Sequence, residues 1–128
     1  MTALPISVVA ALCMATAANA LPLCGSGPRI NCVVDGDTLW VEGVKYRLQD
    51  IDAPELRARC PSEARLAEQA RDRLAELTVA FRIEDSGEVD RYGRALARII
   101  AGNVSAGETL IREGLARPWS GHKEDWCK

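Results

Sequence analysis

Acidic residues cluster around a single arginine in the stretch DGDTLWVEGVKYRLQDIDAPE, which runs from residue 35 to residue 55. Asp37, Asp52 and Glu55 are the acids whose spacing around Arg47 suggests chemistry. Carboxylate oxygens are the ligands that Ca²⁺, Mg²⁺ and Mn²⁺ prefer, and a guanidinium binds phosphate oxygens through paired hydrogen bonds. These residue types therefore suit a hard divalent cation beside a phosphate group. Solvated turn residues are the structural alternative.

A predicted β-hairpin positions these side chains. The stretches TLWV and VKYRL have the composition of strands, and Glu42-Gly43 between them indicates a tight turn. Because a hairpin folds the chain back on itself, Asp37 and Asp52 should lie at the same end of the sheet. Carboxylates placed so close repel each other unless a cation neutralises them. We therefore expect an oxygen-ligand metal site here.

The spacing excludes several other kinds of site. Counted from Asp35, an EF-hand loop would need Gly at its sixth position and Glu at its twelfth, where this chain has Trp40 and Tyr46. His122 is the single histidine, and it lies in the tail, which argues against paired-histidine and Ser-His-Asp chemistry. A carboxylate must then activate the attacking water, and Glu55 is the best placed.

A second candidate cation follows in the stretch DRYGRALARI, where Tyr92-Gly93 turns the chain and Arg94 begins the next strand. Two guanidiniums and a hard cation around one point would stabilise the charge of a phosphodiester transition state. Taken alone, the YGR triplet is equally consistent with a surface arginine.

The remaining pattern predicts three strands, a helix, two strands and a short helix. The strands outside the hairpin are expected at residues 29–35, 79–83 and 95–100, with a polar loop over 84–93. This order predicts a mainly β fold with helices (α+β), namely a five-stranded OB-type barrel with one long and one short helix. An open α+β sandwich is the alternative.

Both helices carry their own end signals. Pro61 suits a first helical position, and the long helix is expected to bury one apolar face. The residues of that face are Ala67, Ala70, Leu74 and Leu77. Ser105 and Glu108 have capping-box spacing for a short helix that should stop at Gly114.

The 128 residues carry a formal net charge of −2, so the chain is not an obvious polyanion binder. Positive charge for nucleic-acid contact would have to be local. The length suits one domain, which we place at residues 21–128.

Residues 1–20 resemble a secretory signal peptide. Residues 4–18 are uncharged, and Ala18-Asn19-Ala20 forms an A-x-A cleavage pattern. We therefore expect a secreted or periplasmic protein without stable membrane association once processed. An uncleaved anchor is the alternative, because no Lys or Arg precedes the apolar stretch.

Four cysteines follow the predicted signal, at positions 24, 32, 60 and 127, and none forms a C-x-x-C motif. An even number in an exported chain indicates disulfides, although four cysteines permit three connectivities. We expect Cys24–Cys32 and Cys60–Cys127, the latter tying the tail to the region after the acidic cluster.

The ordered stretches VVDGDTLWVEGVKYRLQDIDAPE, DRYGRALARI and LIREGLA resemble the staphylococcal nuclease family. The resemblance extends from about residue 29 to residue 116, in the same order and at matching separations. It implies an OB-fold domain and a Ca²⁺-dependent endonuclease that cuts DNA and RNA. It also implies a preference for single strands and products with 3′-phosphate ends.

Matched position by position, the resemblance implies that Asp37 and Asp52 bind Ca²⁺ together with the backbone carbonyl of Ala53. It implies that Arg47 and Arg94 bind the phosphate. These arginines and Glu55, which would orient or deprotonate the attacking water, form the predicted catalytic set. Ala53 departs from the threonine of the family's type enzyme, so a hydroxyl is lost there.

The tail departs further from the family, because it ends in RPWSGHKEDWCK without room for another helix. Trp119 is a candidate to stack on a base, and Tyr92 is a further candidate for substrate binding. Arg117 or Lys123 could touch phosphate. Packing against the sheet is the alternative for Trp119 and Trp126.

Two other functions are considered beside a monomeric nuclease. A non-catalytic OB-fold module would bind nucleic acid without cutting it, and we would expect it to lack one of the acids or arginines. A module that binds oligosaccharide or protein would not need the acid–arginine arrangement at all. All five matched positions carry the expected residue type, which favours the nuclease.

Overall fold

The computed structural model describes residues 2–5 and 19–128, so the predicted signal peptide lies largely outside the described residues. The described part forms a mixed sheet, a two-stranded sheet and two helices. The elements in chain order are β1 (Cys32–Asp35), β2 (Thr38–Val41), β3 (Val44–Leu48), β4 (Ile51–Asp52), α1 (Pro61–Leu77), β5 (Arg82–Val89), β6 (Ala95–Ala101), β7 (Val104–Ser105), α2 (Ala106–Arg112) and β8 (Arg117–Pro118). No helix among the described residues is both long and apolar enough to cross a bilayer.

The main sheet has the order β1-β2-β3-β6-β5, with β7 paired to β6, and β4 pairs separately with β8. β3 and β6 run parallel, and the other neighbours are antiparallel. The α+β class is confirmed, and the fold is OB-like, but the sheet does not close into a barrel. The outer edge of β1 instead bonds the N-terminal segment: Cys24 N–H donates to the Val33 carbonyl and Val33 N–H to the Pro22 carbonyl, both at 2.9 Å. These bonds use the groups that a closing strand would need.

α1 begins at Pro61, as predicted, and buries Ala67, Ala70 and Leu74 against the sheet. Proline suits a first helical position because its missing N–H would have no partner there. The two alanines let the helix approach the β1–β2 turn closely. A Cβ on Gly36 in that turn would lie 2.7 Å from the Ala70 Cβ, so only glycine fits.

α2 begins after Ser105, whose hydroxyl oxygen accepts the Glu108 N–H at 3.0 Å. This is the cap that the Ser105–Glu108 spacing predicts. Leu110 of α2 packs into the same core as Leu48, Ile51 and Ile99 of the strands. The segment from β3 to β4, which carries Arg47 and Asp52, is therefore anchored by apolar side chains.

The strand predicted at residues 79–83 is wrong in its bounds, as is the polar loop predicted at 84–93. β5 starts at Arg82 and continues to Val89, and Glu84 and Asp85 pair with β6 residues within the ladder. β5 is an edge strand with one neighbour and largely exposed side chains, so polar residues cost little there. The first strand also starts later than predicted, at Cys32.

Both predicted disulfides are present, Cys24–Cys32 and Cys60–Cys127. The first closes a loop at the edge of β1. The second joins the start of α1 to the end of the chain, 67 positions later. It therefore holds residues 119–127, which we call the tail segment, against the loop that follows β4.

Candidate active site

The hairpin of β2 and β3 brings Asp37 next to the residues that follow Leu48. Thr38 pairs with Arg47 in the ladder, and Leu48 N–H donates to the Asp37 carbonyl at 2.9 Å. Glu42 and Gly43 at the turn have φ values of 49° and 79°. Both lie in the left-handed region, as a type I′ hairpin turn requires. The turn predicted from Glu42-Gly43 is confirmed.

Arg47 lies between the two predicted metal ligands. Its Nη2 is 3.6 Å from Asp37 Oδ2 and 3.9 Å from Asp52 Oδ1, and all three side chains are buried. Its Nη1 donates to the carbonyls of Leu48 and Ile51. The planar guanidinium is thereby held in one orientation, with its charge compensated by two carboxylates.

Backbone and hydroxyl donors orient the Asp37 carboxylate. Thr38 Oγ1 donates to Asp37 Oδ1 at 3.0 Å, and Ala53 N–H donates to Asp37 Oδ2 at 3.1 Å. The second bond connects the β1–β2 turn directly to the residue that follows β4. Ala53 is fully buried, and its Cβ packs within 2.9 Å of where a Cβ on Gly36 would lie. Small residues on both sides therefore permit this close approach.

Asp35 belongs to the site, although the sequence pattern assigns it only to the turn. Its Oδ1 accepts the Asp37 N–H at 3.1 Å, and the side chain lines the same cavity as Asp37. Burial, together with the neighbouring Asp37 charge, raises the pKa of Asp35 to about 8. Two aspartates separated by a single glycine at a tight turn are the signal that could have identified Asp35.

The tail segment covers Asp52, whose side chain is fully buried. Lys123 Nζ lies 2.6 Å from Asp52 Oδ1, while the Glu124 N–H and the Trp126 Nε1–H donate to Oδ2 at 2.9 and 3.2 Å. Lys123 Nζ also lies 2.5 Å from Glu55 Oε1. Burial alone would lower the pKa of Lys123, but hydrogen bonds to Asp52 and Glu55 raise it above its ordinary value. The ammonium is therefore charged.

Arg94 lines the same cavity as the hairpin residues and lies on the turn that leads into β6. Its Nε donates to Asp90 Oδ2 at 2.7 Å, and its backbone N–H donates to Asp90 Oδ1. Burial would raise the pKa of Asp90, but these bonds and the Tyr92 N–H outweigh it and lower that pKa. Asp90 therefore stays ionised and holds the guanidinium in place.

Both predicted substrate-binding aromatics lie beside arginines at the cavity. The Tyr92 ring is 67 % exposed, with the Arg94 guanidinium 5.4 Å from its centroid. Trp119 is 41 % exposed and lies 5.3 Å from the guanidinium of Arg47. Trp126 differs, because it is buried and packs under Arg117. The packing alternative is therefore correct for Trp126, while Trp119 is partly exposed at the cavity.

These residues surround one open cavity of about 1200 Å³. Its charged lining residues are Asp35, Asp37, Glu55 and Asp90 against Lys45, Arg47, Arg57, Arg91, Arg94 and Lys123. Six cationic and four acidic side chains give this cavity a formal excess of two positive charges, in a chain of net charge −2. In an acidic chain, nucleic-acid contact would need a local basic surface, and such a surface is present at the predicted site.

The donors fit a hard divalent cation in their chemistry. They are all oxygens, and burial together with the Asp37 charge raises the pKa of Asp35, a cost that a cation beside the two carboxylates would offset. Within residues 2–5 and 19–128, however, no three His, Cys, Asp or Glu side chains converge as a ready-made ligand set. Asp52 faces the tail segment instead, so it could join a metal site only if Lys123 moved.

Two further residues were missed or misassigned from the sequence. Asp50 Oδ2 accepts a hydrogen bond from Ser105 Oγ at 3.1 Å, and the Asp50 carbonyl accepts the Trp119 N–H at 3.0 Å. Asp50 thus connects the loop between β3 and β4 with Ser105 before α2 and with Trp119 of the tail segment. Lys123, which the sequence suggests as one candidate for phosphate contact, lines the cavity and contacts the carboxylates of Asp52 and Glu55. No local pattern could reveal either contact, since each joins segments more than 50 positions apart.

Known proteins with similar sequences are nucleases or endonucleases. A family model described as staphylococcal nuclease homologue matches residues 45–125. The chain is 36 % identical over 98 residues to the micrococcal nuclease of Shigella flexneri, covering 66 % of this chain and 53 % of that protein. It is 35 % identical over 94 residues to endonuclease YncB of Bacillus subtilis (strain 168), covering 66 % of this chain and 44 % of that protein.

The SPbeta prophage-derived endonuclease YokF of the same organism is 37 % identical over 94 residues, covering 66 % of this chain and 31 % of that protein. The chain thus spans about half or less of the length of these curated relatives. The matched family segment still includes Arg47, Asp52, Glu55 and Arg94 and more than half of the chain. On this evidence the chain belongs to the staphylococcal nuclease homologue family.

Proposed function

We propose that this protein is a Ca²⁺-dependent nuclease that hydrolyses phosphodiester bonds of DNA and RNA and leaves 3′-phosphates. The observation that carries the proposal is the buried cluster in which Arg47 Nη2 lies within 4 Å of both Asp37 and Asp52. A solvated turn would not bury three charged side chains together, because removing charges from water is costly unless they are paired with one another or with a ligand.

The cation would be held by the carboxylates of Asp37 and Asp52 and the carbonyl of Ala53, with Asp35 beside them. Ca²⁺ there would supply Lewis-acid stabilisation of negative charge on the phosphate. The oxygen-only donor set supports Ca²⁺ over a thiophilic metal. Asp52 would bind the cation only after the tail segment has released its carboxylate.

The chain's own residues would divide the remaining work. Arg47 and Arg94 line one cavity, so their guanidiniums could bind the phosphate from two sides and stabilise its extra charge. Glu55 would accept a proton from the attacking water. The new bond forms from that water oxygen to phosphorus, and the bond from phosphorus to the 5′-oxygen breaks. The 5′-oxygen takes up a proton from solvent, which leaves a 3′-phosphate and a 5′-hydroxyl.

We propose single-stranded nucleic acid as the preferred substrate. Tyr92 and Trp119 are exposed aromatic residues beside Arg94 and Arg47, and stacking on aromatic rings requires unpaired bases. The excess of cationic side chains in the cavity supports binding of a polyanion. The protein is further proposed to act as a secreted or periplasmic monomer, which the two disulfides support.

The test is digestion of denatured DNA and of RNA with Ca²⁺ and with EGTA. Cleavage should require Ca²⁺ and return when it is added after chelation. Glu55→Gln and Arg94→Ala should each reduce turnover by about 10²-fold or more while leaving the circular dichroism spectrum unchanged. Activity that survives chelation would refute the metal requirement, and near-wild-type turnover of either variant would refute its assigned role.

One observation favours a second candidate, a non-catalytic nucleic-acid-binding module. Lys123 neutralises both Asp52 and Glu55, two of the acids that hydrolysis would use. Such a module would retard single-stranded DNA in a gel with or without Ca²⁺ and would not cut it. The same digestion therefore separates the two candidates.

A further inference from the structure

We infer that Lys123 is a tethered cation that occupies the divalent-ion position in the free protein, and that a bound ion displaces it. This inference rests on the proposed function, since it concerns the same acidic cluster. It adds to the site a residue from the tail segment that sets the affinity for the metal.

The position of the Lys123 ammonium carries the inference. It lies 2.6 Å from Asp52 Oδ1 and 2.5 Å from Glu55 Oε1, so it bridges a predicted metal ligand and the predicted water-activating acid. Asp52 has no exposed surface, and both its oxygens face donors of the tail segment. A divalent ion could not reach Asp52 Oδ1 while Lys123 holds that position.

Charge explains why a cation is held there. The carboxylates that pair with Arg47 or Lys123 are Asp37, Asp52 and Glu55, so these ion pairs join three negative to two positive charges and leave one net negative charge. Without Lys123 the net charge would be −2, which a single divalent ion would neutralise. The ammonium and the ion are therefore alternative occupants of the cluster, because both together would place like charges side by side.

The rest of the tail segment keeps the ammonium at the site. Glu124 is held by its N–H bond to Asp52 and by Arg59, whose Nη2 donates to the Glu124 carbonyl at 3.2 Å. Four positions after Lys123, Cys127 is bonded to Cys60. Tethering at both places keeps the local concentration of the ammonium high, so it competes with free ions more strongly than dissolved amines would.

A purely structural ion pair is the competing explanation. A half-exposed lysine paired with carboxylates commonly contributes little to stability, whatever the site does. The two explanations differ in one measurable property. A structural pair predicts that removing Lys123 leaves the affinity for Ca²⁺ unchanged, whereas a competing occupant predicts that the affinity rises.

The experiment compares the wild type with Lys123→Met, Lys123→Arg and Lys128→Met. Ca²⁺ is titrated without nucleic acid, and binding is followed by intrinsic tryptophan fluorescence and by the thermal unfolding midpoint. Lys128 is the matched control, because it is 86 % exposed at the side chain and contacts Asp125 rather than the cluster. Methionine keeps most of the length of the lysine side chain without its charge.

Lys123→Met is expected to bind Ca²⁺ about tenfold more tightly than the wild type, because a charge-assisted contact no longer opposes the ion. Without Ca²⁺ it should unfold at a lower temperature, since the carboxylates lose their internal cation. Lys123→Arg should gain no affinity, because it keeps the charge, and Lys128→Met should match the wild type.

Equal or weaker Ca²⁺ binding by Lys123→Met would overturn the inference. If the wild type nevertheless cleaves nucleic acid in a Ca²⁺-dependent way, the proposed function stands and only the role of Lys123 fails. If Ca²⁺ binds neither the wild type nor Lys123→Met, the inference fails together with the metal requirement of the proposed function.

Discussion

The β2–β3 hairpin and the tail segment deliver charged side chains to the same point by different routes. In the hairpin, Asp37 and Arg47 are ten positions apart and are brought together by a two-residue turn and a regular ladder. In the tail segment, Lys123 reaches Asp52 across 71 positions of sequence, held by a disulfide and by irregular backbone. One half of the site is local, and the other half depends on the whole fold.

This difference separates two functions within one cavity. The hairpin holds Arg47 by hydrogen bonds to two backbone carbonyls, so its geometry is preorganised for a phosphate. Residues 119–127 of the described structure form no helix or strand, and Lys123 remains 46 % exposed at the side chain. We interpret the hairpin as the rigid part of the site and the tail segment as its replaceable cover.

The largest expected effect compares an arginine in each region. Arg47→Lys should lower the turnover of single-stranded DNA by about 10³-fold, because an ammonium cannot reproduce the planar, multiply bonded guanidinium. Arg117→Lys, on β8 next to the tail segment, should lower it by less than about tenfold, since the Arg117 side chain contacts Glu124, Asp125 and the Trp126 ring. Steady-state kinetics of both variants measure the difference. Comparable losses would contradict a division between rigid site and cover.

The two disulfides should differ in their contribution to stability. Replacing Cys60 and Cys127 by serine should lower the free energy of unfolding by about 4 kcal/mol in the chain-entropy description. The corresponding change at Cys24 and Cys32 should cost about 2–3 kcal/mol, because the bond closes a loop of 8 positions rather than 67. Urea denaturation of both double variants tests the order. A larger loss from the shorter loop would refute the assignment of the long bond as the main anchor.

Trp119 tests whether the tail segment also binds substrate. Trp119→Leu should weaken binding of a labelled single-stranded oligonucleotide by about tenfold, since stacking of one base contributes about 1–3 kcal/mol. Trp119→Phe keeps an aromatic face and should stay close to the wild type. Fluorescence anisotropy in EDTA measures binding without cleavage. Equal affinity of the leucine and wild-type proteins would assign Trp119 to packing on Arg47 alone.

The smallest expected effect concerns Asp35 in the hairpin region. In the folded protein Asp35 keeps its proton up to about pH 8, whereas its ordinary pKa is 3.8. The folded chain thus binds more protons between these values, so stability falls as the pH rises through that window. Asp35→Asn should remove this fall and gain about 1 kcal/mol or more at pH 8 without metal, with little gain near pH 4.

Urea denaturation in EDTA at both pH values measures this gain. Asp72→Asn is the control, because Asp72 is an exposed acid on α1, far from Asp35 in sequence, and contacts only Arg71. A gain at pH 8 that Asp72→Asn shares would show that net charge, rather than the contact with Asp37, is responsible.

Much of the site could be predicted because its parts obey short-range rules. A tight hairpin turn requires positive φ values, which Glu42 and Gly43 adopt. That turn alone brings Asp37 back towards Asp52. Pro61 and Ser105 predicted the starts of both helices for equally local reasons. The bounds of β5 were missed because an edge strand tolerates polar residues, so its pattern does not differ from that of a loop.

By itself the sequence determined the α+β class, the hairpin, the acid–arginine cluster and the expected family. Each of these depends on residues within one turn or one ladder, where spacing translates directly into position. Only the tertiary structure decided that Lys123 lies between Asp52 and Glu55, that Trp126 is buried while Trp119 is open, and that the sheet stays unclosed. These outcomes depend on contacts between distant segments with no repeating pattern, which are settled by the packing of the whole chain.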